Sequence, residues 1–358
     1  MTNVDQALRM SGVSYEKFRK PIIIVVLCAI WEIAVRGLHV NPLLFPPFSE
    51  VAVHLLQGLG FGGEWAAGAV LVSEYAQVTQ RGRVVGAVQS AWSVGYALVL
   101  VANTVTFSLA PPELAWRIMF WLGAVPAVAL FWTRTRLQES PIYCANAAAR
   151  AASGVQARQG FALLELFRRD QLRVTLASAL LSIGVIGAGV AFWLPTYLEQ
   201  VRHLTVEGIS AYMGIQVVGG FVGCVSAGYI LDWLGRRRGL ALFALGSALA
   251  AWAYVVLPLG AAWLVFAIGF PLGFFSSGIF SCLAVYLAEL YPTELRGAGQ
   301  GFGYNIGGGI GALGPAAIGV AEAQVGLSDA LALGATSYGL CLVALLFLPE
   351  TRGKPLTG

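Results

Sequence analysis

Charged residues recur at fixed spacings between the long apolar runs of this chain. Glu74 lies seven residues before Arg81-Gly82, and Glu289 lies seven residues before Arg296-Gly297. Each pair stands between two apolar runs that are rich in glycine. Each spacing therefore predicts a tight basic turn that joins two helices.

A third charged group runs from Asp232 through Gly235 to Arg236, Arg237 and Arg238. An acid at a helix end, followed by a glycine turn and arginines, can form ion pairs to a neighbouring helix that hold until the helices move apart. Arginines that only anchor a helix at a membrane surface would need neither the acid nor the glycine. We therefore predict a gating role for this group, with surface anchoring as the alternative.

Glu64 is an acid within an apolar run. It lies about ten residues into the run, which corresponds to about 15 Å of helix and to the middle of a bilayer. An ionised carboxylate at that depth costs about 2.5 to 3.5 kcal/mol. We predict that Glu64 carries a proton or contacts a substrate, and the alternative is a structural polar contact between helices.

Other polar and aromatic side chains within the apolar runs are candidates for the same cavity. Each alone is more often a packing residue, but together they combine aromatic surface with hydrogen-bonding groups, as small-molecule sites do. They are Gln57, Gln89, Trp92, Asn103, Tyr212, Gln216, Tyr286, Tyr304, Asn305 and Tyr338. On another run, Glu32 and Arg36 are four residues apart and are predicted to form an ion pair.

The composition indicates a polytopic membrane protein. Hydrophobic residues make up 58% of the 358 residues and charged residues only 11%, and the mean hydropathy is +0.74. The net charge of +4 comes from arginine clusters between apolar runs, which argues against nucleic acid as a partner and favours the lipid bilayer. The sequence carries no signal for an oligomeric state.

No pattern in the sequence predicts an enzyme, a cofactor or a metal site. Gly58, Gly60 and Gly63 match a nucleotide-binding fingerprint, but they lie inside an apolar run, where small residues allow helices to pack closely. Five cysteines have no paired spacing, and three histidines are scattered. We therefore predict neither disulfides nor metal ligands.

Ten apolar runs are long enough to cross a bilayer. We place them at 21–38, 54–76, 84–108, 116–133, 173–198, 209–231, 239–258, 261–287, 298–321 and 329–348. A turn at Pro258 to Gly260 separates the seventh run from the eighth. The arginine-rich stretch 134–172 is predicted to be a cytoplasmic linker, either a solvated tether or one with a short surface helix near Phe161 to Phe167.

The basic residues predict the orientation of the chain. If ten helices alternate, nearly all arginine and lysine clusters fall on one side, and the opposite side keeps only Arg36, Arg117 and Arg202. The positive-inside rule then places both termini in the cytoplasm. We expect a multi-pass protein of the plasma (inner) membrane.

The repeated spacings also indicate that the chain consists of two related halves. Glu139-Ser140-Pro141 closes an apolar run in the first half, as Glu350-Thr351-Arg352 does in the second. Duplicated halves are typical of secondary transporters. The first half contains no counterpart of the group from Asp232 to Arg238.

These motifs together resemble the major facilitator superfamily. The segment Asp232 to Arg238 is similar to its loop between helices 8 and 9, and Glu289 to Gly297 to its loop between helices 10 and 11. The segments 57–65 and 74–83 are similar to its fourth helix and the following loop, with the Gly-Gly-Glu of metabolite and carboxylate proton symporters. The resemblance covers residues 54–358.

The resemblance implies an all-α fold of two helix bundles that give a central site alternating access, commonly driven by protons. It implies a cytoplasmic gate, with a small organic solute, a carboxylate or a sugar, as substrate. The domains would be 54–133 for the rest of the N-terminal bundle, 134–172 for the linker, 173–348 for the six-helix C-terminal bundle and 349–358 for a cytoplasmic tail. The residues implied for the gate are Asp232, Arg236, Glu289, Arg296, Glu74 and Arg81.

Residues 1–53 depart from this pattern and carry one predicted membrane helix, at 21–38. The segments Phe18 to Pro21, Trp31-Glu32 and Asn41 to Val51 resemble the beginning of an ABC importer permease of the nitrate, sulfonate or taurine type. This resemblance suggests a chimeric chain joined near Val53, with an incomplete N-terminal bundle. The alternative to a working symporter is therefore a truncated, non-transporting membrane protein or a sensor-like remnant.

Overall fold

The computed structural model describes residues 15–38, 45–136, 144–145, 148, 152, 162–257 and 262–354. Within these ranges every regular element is a helix, which confirms the predicted all-α class. Nine helices in the described part of the chain are long and apolar enough to cross a membrane. They coincide with nine of the ten predicted runs.

Within residues 48–134 and 162–347 the helices follow one another with short connections. In chain order they are α1 (Tyr15–Gly37), α2 (Phe48–Tyr75), α3 (Arg81–Leu109), α4 (Pro112–Arg134), α5 (Ala162–Glu165), α6 (Arg169–Gly187), α7 (Val190–Gln200), α8 (Val206–Leu234), α9 (Arg236–Val256), α10 (Ala262–Leu290), α11 (Thr293–Gly311), α12 (Leu313–Val325), α13 (Leu327–Ala335) and α14 (Tyr338–Phe347).

Three of the membrane spans are built from two helices each. The spans Arg169–Gln200, Thr293–Val325 and Leu327–Phe347 combine α6 with α7, α11 with α12, and α13 with α14. The first of them breaks at Gly189, whose φ of +62° suits a residue without a side chain. Helix α1 contains the predicted run 21–38 except for its last residue and is not among the nine spans. The predicted turn at 258–260 lies outside the described residues.

Residues 1–64 form one of two compact units. The predicted ion pair is confirmed, with Arg36 Nε 2.6 Å from Glu32 Oε1. The other oxygen of Glu32 accepts the backbone N–H of Ser49 at 2.9 Å, which joins the end of α1 to the start of α2. Trp31 packs on Phe45 and Phe48, with ring centroids 5.3 and 5.7 Å apart.

Residues 65–358 form the second compact unit. Its apolar core is formed mainly by α6, α8, α9, α10 and α14, and α3 packs along α8. The predicted linker is described only in part, but α5 and the residues after it are in place. Leu166 is fully buried against Tyr291 and Leu295, so this end of the linker is packed and not a solvated tether.

Helices α3 and α8 approach each other closely because glycines line their contact. A Cβ at Gly86 would lie 2.8 Å from the carbonyl oxygen of Cys224, and a Cβ at Gly82 would lie 2.6 Å from Asp232 Oδ1. Gly228 faces the backbone of Gly82 across the same contact. Small residues therefore bring the start of α3 to the end of α8, where the charged residues lie.

Candidate functional site

Glu289 is the centre of a buried charged network at the ends of α3, α8, α9 and α10. Its Oε1 accepts hydrogen bonds from Arg81 Nη1 and Arg236 Nη2, each at 2.8 Å. Its Oε2 accepts from Arg236 Nε at 3.0 Å and from the hydroxyl of Thr351 at 2.6 Å. The side chains of Glu289, Arg81 and Arg236 are at most 2% exposed. One carboxylate thus joins two arginines from different helices.

Asp232 connects the end of α8 to the start of α3. Its carboxylate accepts the backbone N–H groups of Gly82 and Arg83, each at 3.0 Å. Arg236 Nη1 lies 3.1 Å from Asp232 Oδ1. A carboxylate at the first N–H groups of a helix satisfies donors that have no partner within the helix, and it lies at the positive end of the helix dipole. Asp232 therefore caps α3 and holds Arg236 in place.

Glu74 and Arg296 form a second ion pair beside the first. Arg296 Nη1 donates to Glu74 Oε1, and Arg296 Nη2 donates to the hydroxyl of Thr293 at 2.9 Å. The side chain of Arg296 is 1% exposed and that of Glu74 is 6% exposed. Both side chains are buried, so breaking the pair would leave a buried charge without a partner, at a large cost in free energy.

The two ion pairs exchange partners between the repeated motifs. Glu74 of the first motif binds Arg296 of the second, and Glu289 of the second motif binds Arg81 of the first. The acid and the arginine of each motif are separated by the same number of residues. A reciprocal pattern of this kind is expected where two related halves meet across a pseudo-twofold axis.

Glu350 fixes the segment after α14 to the start of α9. Its carboxylate accepts the backbone N–H groups of Arg236 at 2.8 Å and Arg237 at 3.1 Å, and also those of Thr351 and Arg352, both at 3.0 Å. Burial raises the pKa of Glu350, but these four N–H groups outweigh the burial and hold the pKa below its ordinary value. Glu350 is thus ionised and bound to α9.

The residues predicted for the membrane interior are placed in several surroundings. Glu64 and Gln57 are exposed on α2, and Trp92, Asn103 and Asn305 are also exposed, whereas Gln89 and Gln216 are half-buried. Tyr212 is buried beside Tyr254, with ring centroids 5.2 Å apart. The remaining predicted tyrosines are partly or fully buried, and Tyr304 stacks on Trp65 at 3.8 Å between ring centroids.

Tyr286 lies on α10, a different helix from the one that carries the predicted cavity residues Tyr212 and Gln216. Its hydroxyl donates to the carbonyl oxygen of Pro349 at 2.7 Å, so it contacts the segment that carries Glu350. The structure therefore brings the six predicted gate residues into contact as two adjacent groups, while the predicted cavity residues lie along several helices.

Sequence reasoning did not identify three contributors to the network. The carbonyl oxygen of Ser73 accepts from Arg81 Nε at 3.1 Å, and the hydroxyl of Thr351 and the carboxylate of Glu350 bind as described above. Glu350 and Thr351 belong to a repeated motif that closes an apolar run, and this repetition was the signal that could have pointed to them. The motif from Glu139 to Pro141 lies outside the described residues.

Comparisons with known proteins agree with this architecture. The model of the Major Facilitator Superfamily matches residues 10–315. The probable 4-methylmuconolactone transporter of Cupriavidus pinatubonensis is 34% identical over 301 residues, which are 83% of this chain and 68% of the relative. The cis,cis-muconate transport protein of Acinetobacter baylyi is 25% identical over 352 residues, which are 96% of this chain and 82% of the relative.

A solved structure shows the same fold. The proton:xylose symporter XylE, bound to 6-bromo-6-deoxy-D-glucose, is 18% identical and superposes with a TM-score of 0.65, over 80% of this chain and 68% of that chain. The family match and the relatives confirm the resemblance that the motifs predicted. The chain belongs to the Major Facilitator Superfamily and is a multi-pass membrane transporter, not an enzyme.

Proposed function

We propose that this chain transports a small organic acid or lactone together with protons by alternating access. The observation that carries the substrate class is the 34% identity to the probable 4-methylmuconolactone transporter. Relatives named for cis,cis-muconate and niacin add to it. Within the predicted range from carboxylates to sugars, these relatives favour compounds with a carboxylate or a lactone.

The charged network is proposed to close the cytoplasmic end of the transport path. Its arginines and carboxylates are almost fully buried, and each ion pair joins a residue of one repeated motif to a residue of the other. Movement of the two halves apart would break both pairs at once and let water reach the charges. A network that is satisfied in one arrangement and hydrated in the other gives a two-state element of the kind that alternating access needs.

Glu64 is proposed to carry the proton. It lies within α2, a helix long and apolar enough to cross the membrane, and its side chain is exposed. Because a charged carboxylate is costly against lipid, this position favours a polar cavity around Glu64. We expect Glu64→Gln to abolish pH-driven uptake while leaving membrane insertion normal. Retained coupling in this variant would exclude the role.

We place the protein in the inner membrane. The arginine clusters support an orientation with both termini in the cytoplasm. The domain limits follow the same proposal, with 54–133 and 173–348 as the two bundles. The superfamily match begins at residue 10, so it includes most of the segment that resembles an ABC importer permease. A chimeric origin of residues 1–53 remains a proposal that rests on the short motifs alone.

Uptake measurements test the proposed function. Cells that express the chain are given labelled cis,cis-muconate, niacin and xylose, with and without an imposed pH gradient. We expect uptake of the carboxylates that rises with the gradient and is lost when a protonophore collapses it. A parallel chain with three additional N-terminal helices tests the alternative, because uptake by that chain alone would make this one a non-transporting protein.

A further inference from the structure

A groove lies at the end of the C-terminal half where α9 begins and α14 ends. It holds about 740 Å³ and is partly open to its surroundings. Its walls come from the first turn of α9, the last turns of α14 and the segment after α14. Its lining residues include Arg237, Arg238, Arg352, Glu350, Leu342 and Leu346. None of these belongs to the ion pairs of the charged network.

The groove is positively charged. Three guanidinium groups line it, from a half-buried Arg237 and from the exposed Arg238 and Arg352. Among the described residues, no carboxylate forms an ion pair with any of the three. Glu350 is the one acid of the lining, and its two oxygens already accept four backbone N–H groups. The arginines are therefore available to an anion from outside the chain.

The remaining wall of the groove is apolar. Leu342 and Leu346 are one turn apart on α14, and Leu346 is 70% exposed. Both belong to the span Leu327–Phe347, which is long and apolar enough to cross the membrane. The groove thus continues from arginines at the helix ends to leucines on a span that is apolar enough to lie in a bilayer. This order of surfaces matches a phospholipid, whose charged headgroup is joined to hydrocarbon chains.

We propose that the groove binds an anionic phospholipid, with the phosphate ester among Arg237, Arg238 and Arg352 and an acyl chain along Leu342 and Leu346. Arginine pairs well with phosphate because its planar group donates two parallel hydrogen bonds. Basic pockets at the cytoplasmic ends of membrane helices suit such headgroups. A free phosphate would gain nothing from the leucines, and this difference separates the two sources of the anion.

The site would also connect the lipid to the charged network. Arg237 follows Arg236, and Glu350 binds the backbone of both. A headgroup that neutralises Arg237 and Arg352 would stabilise the contact between α9 and the segment after α14. Lipid binding itself does not depend on the proposed transport activity, so the two proposals fail separately.

Binding measurements on the purified protein test the proposal. Native mass spectrometry and thermal unfolding are recorded with phosphatidylglycerol, with phosphatidylcholine and with inorganic phosphate. The variant Arg237→Gln/Arg238→Gln removes two charges of the groove and leaves the backbone bonds of Glu350. Arg352→Gln is a second variant at an exposed position. Arg168→Gln/Arg169→Gln is the matched control, because both arginines are exposed outside the groove.

We expect phosphatidylglycerol to bind and to raise the melting temperature of the wild type and the control. Its affinity should fall about fivefold for each arginine removed, and so about 25-fold in the double variant. Phosphatidylcholine and phosphate should bind more weakly than phosphatidylglycerol. Equal phosphatidylglycerol affinity in the groove variants and the control would overturn the site, and an equal response to phosphate or to phosphatidylcholine would overturn its assignment to an anionic lipid.

Discussion

Replacing Glu289 by glutamine is the most direct perturbation of the charged network. The substitution keeps the size of the side chain and removes the charge that both Arg81 and Arg236 contact at 2.8 Å. Arg236 retains Asp232 as an ion partner. Arg81 retains only a hydrogen bond to the carbonyl oxygen of Ser73 among its described interactions. The cost therefore falls mainly on Arg81.

The magnitude follows from burial. Loss of one partner of a buried ion pair costs about 3 to 5 kcal/mol because the other charge stays away from water. The glutamine oxygen still accepts one hydrogen bond, so we take the low end, about 3 kcal/mol. This penalty applies only while the network is closed, since Arg81 is hydrated when the halves separate. It corresponds to an increase of about a hundredfold in the open fraction.

Alkylation of a buried reporter measures this opening. Ser93 is 4% exposed on α3, and its hydroxyl lies against Gly220 of α8. Ser93→Cys is made in a chain in which Cys28 and Cys144 are replaced by serine. We expect Glu289→Gln to increase the rate of alkylation strongly, up to the ratio of open fractions. Glu294→Gln is the control, because Glu294 is an exposed acid near the same turn.

Two results would refute this reasoning. An unchanged alkylation rate in folded Glu289→Gln protein would show that the carboxylate does not hold the helix ends together. An equal increase in the Glu294→Gln control would show that the rate responds to any loss of negative charge near the turn. A melting temperature measured on each variant separates opening from general unfolding.

Three further predictions concern the same end of the helices. Glu74→Gln and Arg296→Gln should each promote alkylation of the reporter. A double-mutant cycle should give a coupling between the two residues of more than about 1 kcal/mol, and additive effects of the two substitutions would contradict a direct ion pair. Gly228→Val should separate α3 from α8 because its side chain would meet the backbone of Gly82, and a normal alkylation rate would exclude the close contact. The pKa of Glu350 is lowered in the folded protein, so the stabilisation by Glu350 is complete above its ordinary pKa of about 4.5 and is lost as the pH falls through the lower folded value. Glu350→Gln should therefore reduce the melting temperature at neutral pH and make the melting temperature fall less steeply in acid. A melting profile equal to that of the wild type would contradict this prediction.

Much of the architecture was predictable because a bilayer imposes a length and a composition on each helix. Nine predicted apolar runs coincide with helices, and their limits follow from where charges and turn residues interrupt them. The repeated Glu and Arg spacing indicated the two related turns. It could not show that each acid would bind the arginine of the other turn, because that depends on how the two halves pack.

The parts that sequence reasoning missed depend on contacts between segments distant in the chain. Glu350 caps α9 from more than a hundred residues away. The repeated motif that contains Glu350 marks its position, but it does not predict its partner. Tyr286 lies in an apolar run like the other candidates, but its hydroxyl donates to Pro349. A position within a run gives depth in the membrane, but it does not give the direction of the side chain around the helix.

The burial of Leu166 is another contact between distant segments that the sequence of the linker did not predict. Its surroundings in the chain are rich in arginine, which favoured a solvated segment. The structure places Leu166 against Tyr291 and Leu295, and the hydroxyl of Thr175 donates to its carbonyl oxygen at 3.0 Å. A single apolar side chain in a polar segment carries little periodic signal, so its packing partner appears only in the folded chain.

The distance between spin labels at Gln80 and Trp233 tests the central claim that the network opens and closes during transport. Both positions are exposed, and they lie beside the contact of Asp232 with the start of α3. In liposomes we expect the wild type to show one short distance at rest and a second, longer distance when a transported carboxylate and a pH gradient are present. In the Glu289→Gln variant we expect the longer distance even without substrate. A single short distance under all of these conditions, while uptake proceeds, would contradict the account.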